Sequence, residues 1–160
     1  MHIISEEKFI EKECNCNCNY VGLGAGSKKF LPGSAKSRGF KRGGSDLEIE
    51  GTNLCIEVTG PNIYYVKAYA DLWIRPDKIK YAIDNIEKDC WVVHVLKNNF
   101  LLRTIHLNDD FKKDYNNDAF KEIHPPIRGT VETYIAIPAN SNHVQDFTIL
   151  IKAIQKNSKI

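Results

Sequence analysis

The sequence predicts an α/β domain, a mixed central β-sheet flanked by helices. Three observations carry that expectation. Polar and apolar residues alternate over 46–50 and again over 54–59, the period of a strand. Two strongly apolar runs, 91–96 and 100–107, read as further strands. Around them, at 79–86 and 144–154, apolar residues recur at the spacing of one helical face instead. The 160 residues suit one hydrophobic core, so 1–160 is read as a single domain.

Taken in order, residues 3–13 predict a short helix with Ile3, Phe9 and Ile10 on its apolar side. An asparagine–cysteine alternation leads into a long segment, 20–45, that holds seven of the ten glycines. Such glycine density disfavours helix and regular strand, which predicts an irregular loop. Asp46 to Glu50 and Leu54 to Thr59 form a β-hairpin around the turn residues Gly51, Thr52 and Asn53. Gly60, Pro61 and Asn62 end the second strand, and 63–74 is β-rich. Pro76 opens a helix whose apolar face is Ile79, Ala82, Ile83 and Ile86. The two apolar strands follow, joined by Lys97, Asn98 and Asn99. Residues 108–129 are polar, with a short helix near 109–120 and a Pro-Pro break. A strand over 130–137 and a helix from His143 complete the chain, the helix packing Val144, Phe147, Leu150, Ile151 and Ile154.

Composition excludes several classes. Hydrophobic residues at 42% and charged residues at 26% are ordinary for a globular chain and exclude a disordered or fibrous one. No apolar run approaches the roughly 20 residues of a spanning helix, so no membrane partner is expected. The acidic start, MHIISEEKFIEKE, lacks the basic and apolar regions of a secretory signal, which predicts a cytoplasmic location. Five cysteines, an odd number, fit a reducing compartment. Cys14, Cys16 and Cys18 alternate with asparagine and could share one side of an extended segment, as soft-metal ligands would. They lack a fourth ligand and the wider spacing of zinc sites, and small half-buried residues explain them as well. Cys55 and Cys90 read as strand or core residues, His94 and His106 as structural histidines, and Trp73 and Trp91 as packing.

The net charge of +2 is too small to imply a nucleic-acid partner, but its distribution is uneven. Lys28, Lys29, Lys36, Arg38, Lys41 and Arg42 fall in the glycine-rich loop, which contains no Asp or Glu. Cations neutralise phosphates with counterion release, and Tyr20, Phe30 and Phe40 among them could stack on bases. A solvated loop without a partner is the plain alternative. The run from Gly22 to Lys28 has neither P-loop nor dinucleotide-loop spacing, which discards a nucleotide site.

The loop runs directly into the hairpin. Alternation places Asp46, Glu48 and Glu50 on one face of the first strand, and Cys55, Glu57 and Thr59 on one face of the second. Four carboxylates on one polar side repel unless a cation, a basic side chain or solvent attends them. Hard oxygen ligands of this kind suit magnesium or manganese. The plain reading is an exposed hairpin whose polar face is wet.

Ser45-Asp46-Leu47-Glu48-Ile49, a short turn, and Cys55-Ile56-Glu57-Val58-Thr59 together resemble the metal-binding hairpin of the PD-(D/E)XK nuclease superfamily, which has the restriction-endonuclease-like fold. The resemblance covers about 45–107, because the hairpin, helix and two strands fall in that family's order. It implies that Asp46 and Glu57 bind Mg (or Mn), with the carbonyl of Val58 as a third ligand. It also implies a DNA substrate and, since many such nucleases pair to cut two strands, a homodimer. One departure matters: Thr59 stands where the family has a catalytic lysine, and a hydroxyl cannot supply that charge. A migrated lysine could replace it, from Lys67, Lys78 or Lys80. Lys78 is the first choice, because it opens the amphipathic helix away from its apolar face. The sequence thus supports a metal-dependent endodeoxyribonuclease using Asp46, Glu57 and Lys78. The alternative is a catalytically inactive nucleic-acid-binding module on the same fold. Retained Asp46 and Glu57 favour the first, and Thr59 favours the second.

Overall fold

A computed structural model of the chain describes residues 11–12, 18–20, 46–59, 70–96 and 101–158. The helix expected over 3–13 is represented there by residues 11 and 12, which are helical, and its remainder lies outside the described residues. So do Cys14, Cys16, Lys67 and every cation of the glycine-rich loop.

The central sheet has six strands in the order β1-β2-β3-β5-β6-β11. These are β1 Cys18–Tyr20, β2 Leu47–Ile49, β3 Leu54–Thr59, β5 Asp89–Leu96, β6 Leu101–His106 and β11 Val144–Asp146. Every neighbouring pair is antiparallel except β3 and β5, which run parallel. The sheet is therefore mixed and the class α/β, as the alternation and apolar runs predict. The hairpin is also where expected: Leu47 pairs with Ile56 and Glu48 with Cys55, around a turn in which Gly51 takes φ +81°. One boundary of the loop is corrected. Tyr20 ends a strand, pairing with Leu47, because the free edge of β2 offers its backbone groups to Cys18–Tyr20.

Among the described residues three helices cover the sheet: α1 Pro76–Asp84, α2 Asp109–Asn116 and α3 Thr148–Ser158. Proline sets the start of α1, holding Arg75 extended at φ −69°, ψ 136°. Asn108 starts α2, its side chain accepting a hydrogen bond from the Phe111 N–H at 3.0 Å. A second sheet has the order β4-β10-β7, from β4 Leu72–Ile74, β10 Tyr134–Ile137 and β7 Lys121–Ile123. A two-stranded ribbon joins β8 Pro126–Ile127 to β9 Thr130–Val131. Its turn puts Arg128 and Gly129 at φ 51° and 78°, the mirror-image geometry that fits strand twist.

Several element boundaries differ from expectation. The strand foreseen over 130–137 is two strands, with Glu132 in the break between them, where its carboxylate accepts from the Tyr134 hydroxyl at 2.6 Å. The helix foreseen from His143 begins at Thr148, since Val144–Asp146 instead extends the sheet beside β6. Its apolar spacing holds nonetheless, with Phe147, Leu150 and Ile154 all buried. Ile86 lies beyond the end of α1 and is 81% exposed, so the buried face of that helix is Ile79 and Ala82.

The largest correction concerns burial. Alternation implies a hairpin with one wet face, but β3 is covered on both. Leu54, Ile56 and Val58 join Trp91, Val93 and Val95 against Phe147, Leu150 and Ile154. On the reverse face Cys55, Cys90, Val92 and Ile105 meet Ile79 and Ala82 of α1, Phe111 of α2, and Leu72, Ile74, Ile135 and Ile137 of the small sheet. Each fully buried Leu or Ile contributes roughly 1.5–3 kcal/mol. No helix among the described residues is long and apolar enough to cross a membrane.

Candidate active site

Burial of the second face changes what its polar residues mean. A carboxylate there is no longer a solvated group, and needs a partner. Asp46 precedes β2, and its backbone N–H donates to the Ile56 carbonyl at 3.0 Å. Strand pairing of β2 starts only at Leu47, so the Val58 N–H is left for the Asp46 side chain, which accepts it through Oδ2 at 3.0 Å. That bond brings Asp46 to the residue following Glu57. The two carboxyl groups lie on one side of the sheet, close enough for the Asp46 charge to act on Glu57.

Lys78 completes the group. It lies in the first turn of α1, where Pro76 fixes the helix start, and its Nζ sits 3.2 Å from Glu57 Oε2. Both side chains are largely withdrawn from water, at 15% and 16% exposure. Burial, and then the Asp46 charge, push the Glu57 carboxyl up to about 8 despite the opposing pull of Lys78. Burial also raises Asp46, against the lowering effect of the Val58 N–H and Lys78. The Glu57 carboxyl therefore holds its proton at neutral pH.

The remaining members of the expected acidic face disperse. Glu48 shares the face but pairs with Lys88 at 3.3 Å, and Glu50 lies exposed in the turn. Lys80 points to solvent and pairs with Asp84 one turn on, at 3.0 Å. Thr59 lies in register with His94 on β5, two residues beyond Glu57. His94 is 3% exposed, and burial lowers its pKa to about 4, so it is neutral. Its Nε2 lies 3.0 Å from the Trp73 carbonyl, which can only accept, so Nε2 carries the hydrogen and Nδ1 a bare lone pair. The structural role expected for His94 is thus a tie between β5 and β4. Its neighbourhood to position 59 is a tertiary fact, for which the sequence holds no signal. His106 is likewise structural, pairing with Asp89 and stacked on Trp91.

Among the described residues no three His, Cys, Asp or Glu side chains gather as metal ligands. Two carboxylates and a backbone carbonyl still suit magnesium, which keeps several waters and binds through few protein groups. The raised Glu57 pKa is compatible with this, because a cation held there would displace the Glu57 proton.

No protein-family model matches the chain, and no curated protein matches it. Among solved structures it is similar to D212, a nuclease from a fusselovirus, with a TM-score of 0.53. The likeness covers 98% of this chain and 86% of that one, at 15% sequence identity. The chain shares that protein's fold. At this identity the likeness concerns the path of the backbone, and the chemistry rests on the site itself.

Proposed function

We propose that the protein is a metal-dependent nuclease of the PD-(D/E)XK type that hydrolyses phosphodiester bonds in DNA, with its lysine moved from position 59 to α1. The observation that carries this reading is the approach of Lys78 Nζ to Glu57 at 3.2 Å, beside Asp46. A buried acid pair with a lysine is expensive to maintain, and such perturbed groups concentrate at functional sites. The fold shared with a viral nuclease supports the same reading.

Asp46 and Glu57 would hold Mg (or Mn), with the Val58 carbonyl as a third ligand. When bound, the cation supplies a lowered water pKa and charge neutralisation on the phosphate. Asp46 is oriented for this by the Val58 N–H, so it need not reorganise. To serve as a ligand Glu57 would have to release the proton it holds at neutral pH. Lys78 then keeps a positive charge next to the reacting phosphate, the role the family assigns to the residue at position 59. Water would add at phosphorus as one ester P–O bond breaks, one of its hydrogens remaining on the new phosphate hydroxyl and the other passing to the departing oxygen.

The second reading, an inactive DNA-binding module, is favoured by one observation: Thr59 offers only a hydroxyl. Incubating linear, branched and single-stranded DNA with magnesium or manganese separates the two. Cleavage that disappears in Glu57→Ala supports the nuclease. Binding without cleavage under any of these conditions moves the protein to the second reading.

A further inference from the structure

We infer that Trp73 and Tyr134 form a stacking platform for an unpaired base, so that the DNA recognised by this protein carries a single-stranded part. The inference rests on the nucleic-acid reading and narrows its substrate. Its starting point is a tryptophan in the wrong place for packing. Leu72 and Ile74, on either side of Trp73 in β4, are buried, whereas Trp73 is 41% exposed. The other tryptophan, Trp91, shows what a packed one looks like here, buried and stacked on His106.

Strand pairing defines the surface around it. Ala136 pairs with Trp73 on one side and Lys121 on the other, so these three share the outer face of the small sheet. Tyr134, two residues from Ala136, lies on the same face with its ring centroid 5.6 Å from that of Trp73, at an interplanar angle of 37°. Two aromatic rings beside exposed Lys121 make a surface with π-faces for bases and a cation for an adjoining phosphate, while Arg75 is paired with Asp77 at 3.0 Å and the Tyr134 hydroxyl donates to Glu132. Within a duplex each base is already stacked on both sides, so only an unpaired base can use such a face.

The surface is also fixed relative to the acid pair. Buried His94 donates to the Trp73 carbonyl at 3.0 Å. It stands one strand over and two residues along from Glu57, about 8 Å away by strand spacing and rise. Tyr134 lies within electrostatic reach of Arg75 and Asp77, at the start of the helix that sends Lys78 to Glu57. The rings themselves face away from Glu57, since Trp73 alternates with the core-facing Leu72 and Ile74, so the backbone adjoining a stacked base would reach the acid pair round the β4 edge.

The test uses the full chain in EDTA, with three DNA probes: a single strand, a duplex with a single-stranded tail, and a blunt duplex. Tryptophan fluorescence is expected to fall with the first two and to hold with the third, because only Trp73 is accessible. By anisotropy of labelled DNA, Trp73→Ala is expected to weaken binding of the tailed duplex about ten-fold, the loss of one stacked base. Trp73→Phe, which keeps a ring, should stay within about three-fold. Equal quenching by the blunt duplex, no quenching by any probe, or unchanged affinity in a folded Trp73→Ala would overturn the platform. Quenching without cleavage by the wild-type chain in magnesium or manganese would uphold the platform and remove the nuclease reading. Cleavage of blunt duplex at equal rates by wild type and Trp73→Ala would do the reverse.

Discussion

The two faces of β3 and β5 are built on the same backbone and buried to a similar degree, yet they are spent differently. Toward α3 the strands present Leu54, Ile56, Val58, Trp91, Val93 and Val95, an apolar wall. Toward α1 they present Cys55, Glu57, Thr59, Cys90, Val92 and His94. That second face begins as ordinary core, where the Cys55 and Cys90 sulfurs lie 3.2 Å apart, and turns ionisable two residues on. The difference teaches where to look for chemistry in this fold. A face of the core that includes an acid with a raised pKa and a neutral buried histidine sacrifices stability, and that sacrifice makes it the candidate site.

The contrast can be broken most forcefully by cleavage measurements. Glu57→Gln is expected to lower metal-dependent cleavage by on the order of 10³-fold or more, and Lys78→Ala by on the order of 10²-fold. Single-turnover rates on labelled DNA check both, and wild-type-like rates in either variant would refute the assignment of that residue. Stability should run the other way. Leu54→Ala, on the apolar face, is expected to cost about 2–5 kcal/mol in urea unfolding, as a cavity in a sealed core does. Glu57→Gln should cost nothing or stabilise at neutral pH, because folding no longer has to take up a proton at this position.

A pH series sharpens the same point. The folded chain keeps the Glu57 proton up to about pH 8, while the unfolded chain releases it near its ordinary value of 4.5. Between these values the folded state binds more protons, so this site subtracts stability as pH rises. Melting temperatures without divalent ions should therefore fall from pH 5 to pH 8 more steeply for wild type than for Glu57→Gln. Parallel curves would show that Glu57 ionises normally. The smallest effect belongs to Lys80, two residues from Lys78 on α1 and paired at the surface with Asp84. Lys80→Ala should leave cleavage unchanged and alter unfolding by no more than about 0.5 kcal/mol.

Much of the architecture is legible in residue patterns. Alternation locates β2 and β3, apolar runs locate β5 and β6, and proline with helical spacing locates α1. Short edge elements are not legible: β1, β7 and β11 carry weak patterns of their own and exist because a neighbouring edge offers backbone partners. Within the site, Asp46, Glu57 and Lys78 can be selected from the sequence, the lysine because it opens α1 away from its apolar face. Trp73 cannot, since a tryptophan between Leu72 and Ile74 reads as packing until the small sheet shows its outer side.

The sequence alone determines which residues can share a strand face or a helix face, because side-chain direction follows from a local backbone repeat. It therefore determines that Asp46 and Glu57 could meet. Only the tertiary structure decides that their face is buried, that α1 lies across it with Lys78 at Glu57, and that His94 anchors Trp73. Those outcomes depend on contacts between segments far apart in the chain, where burial and electrostatics act through space and leave no periodic trace.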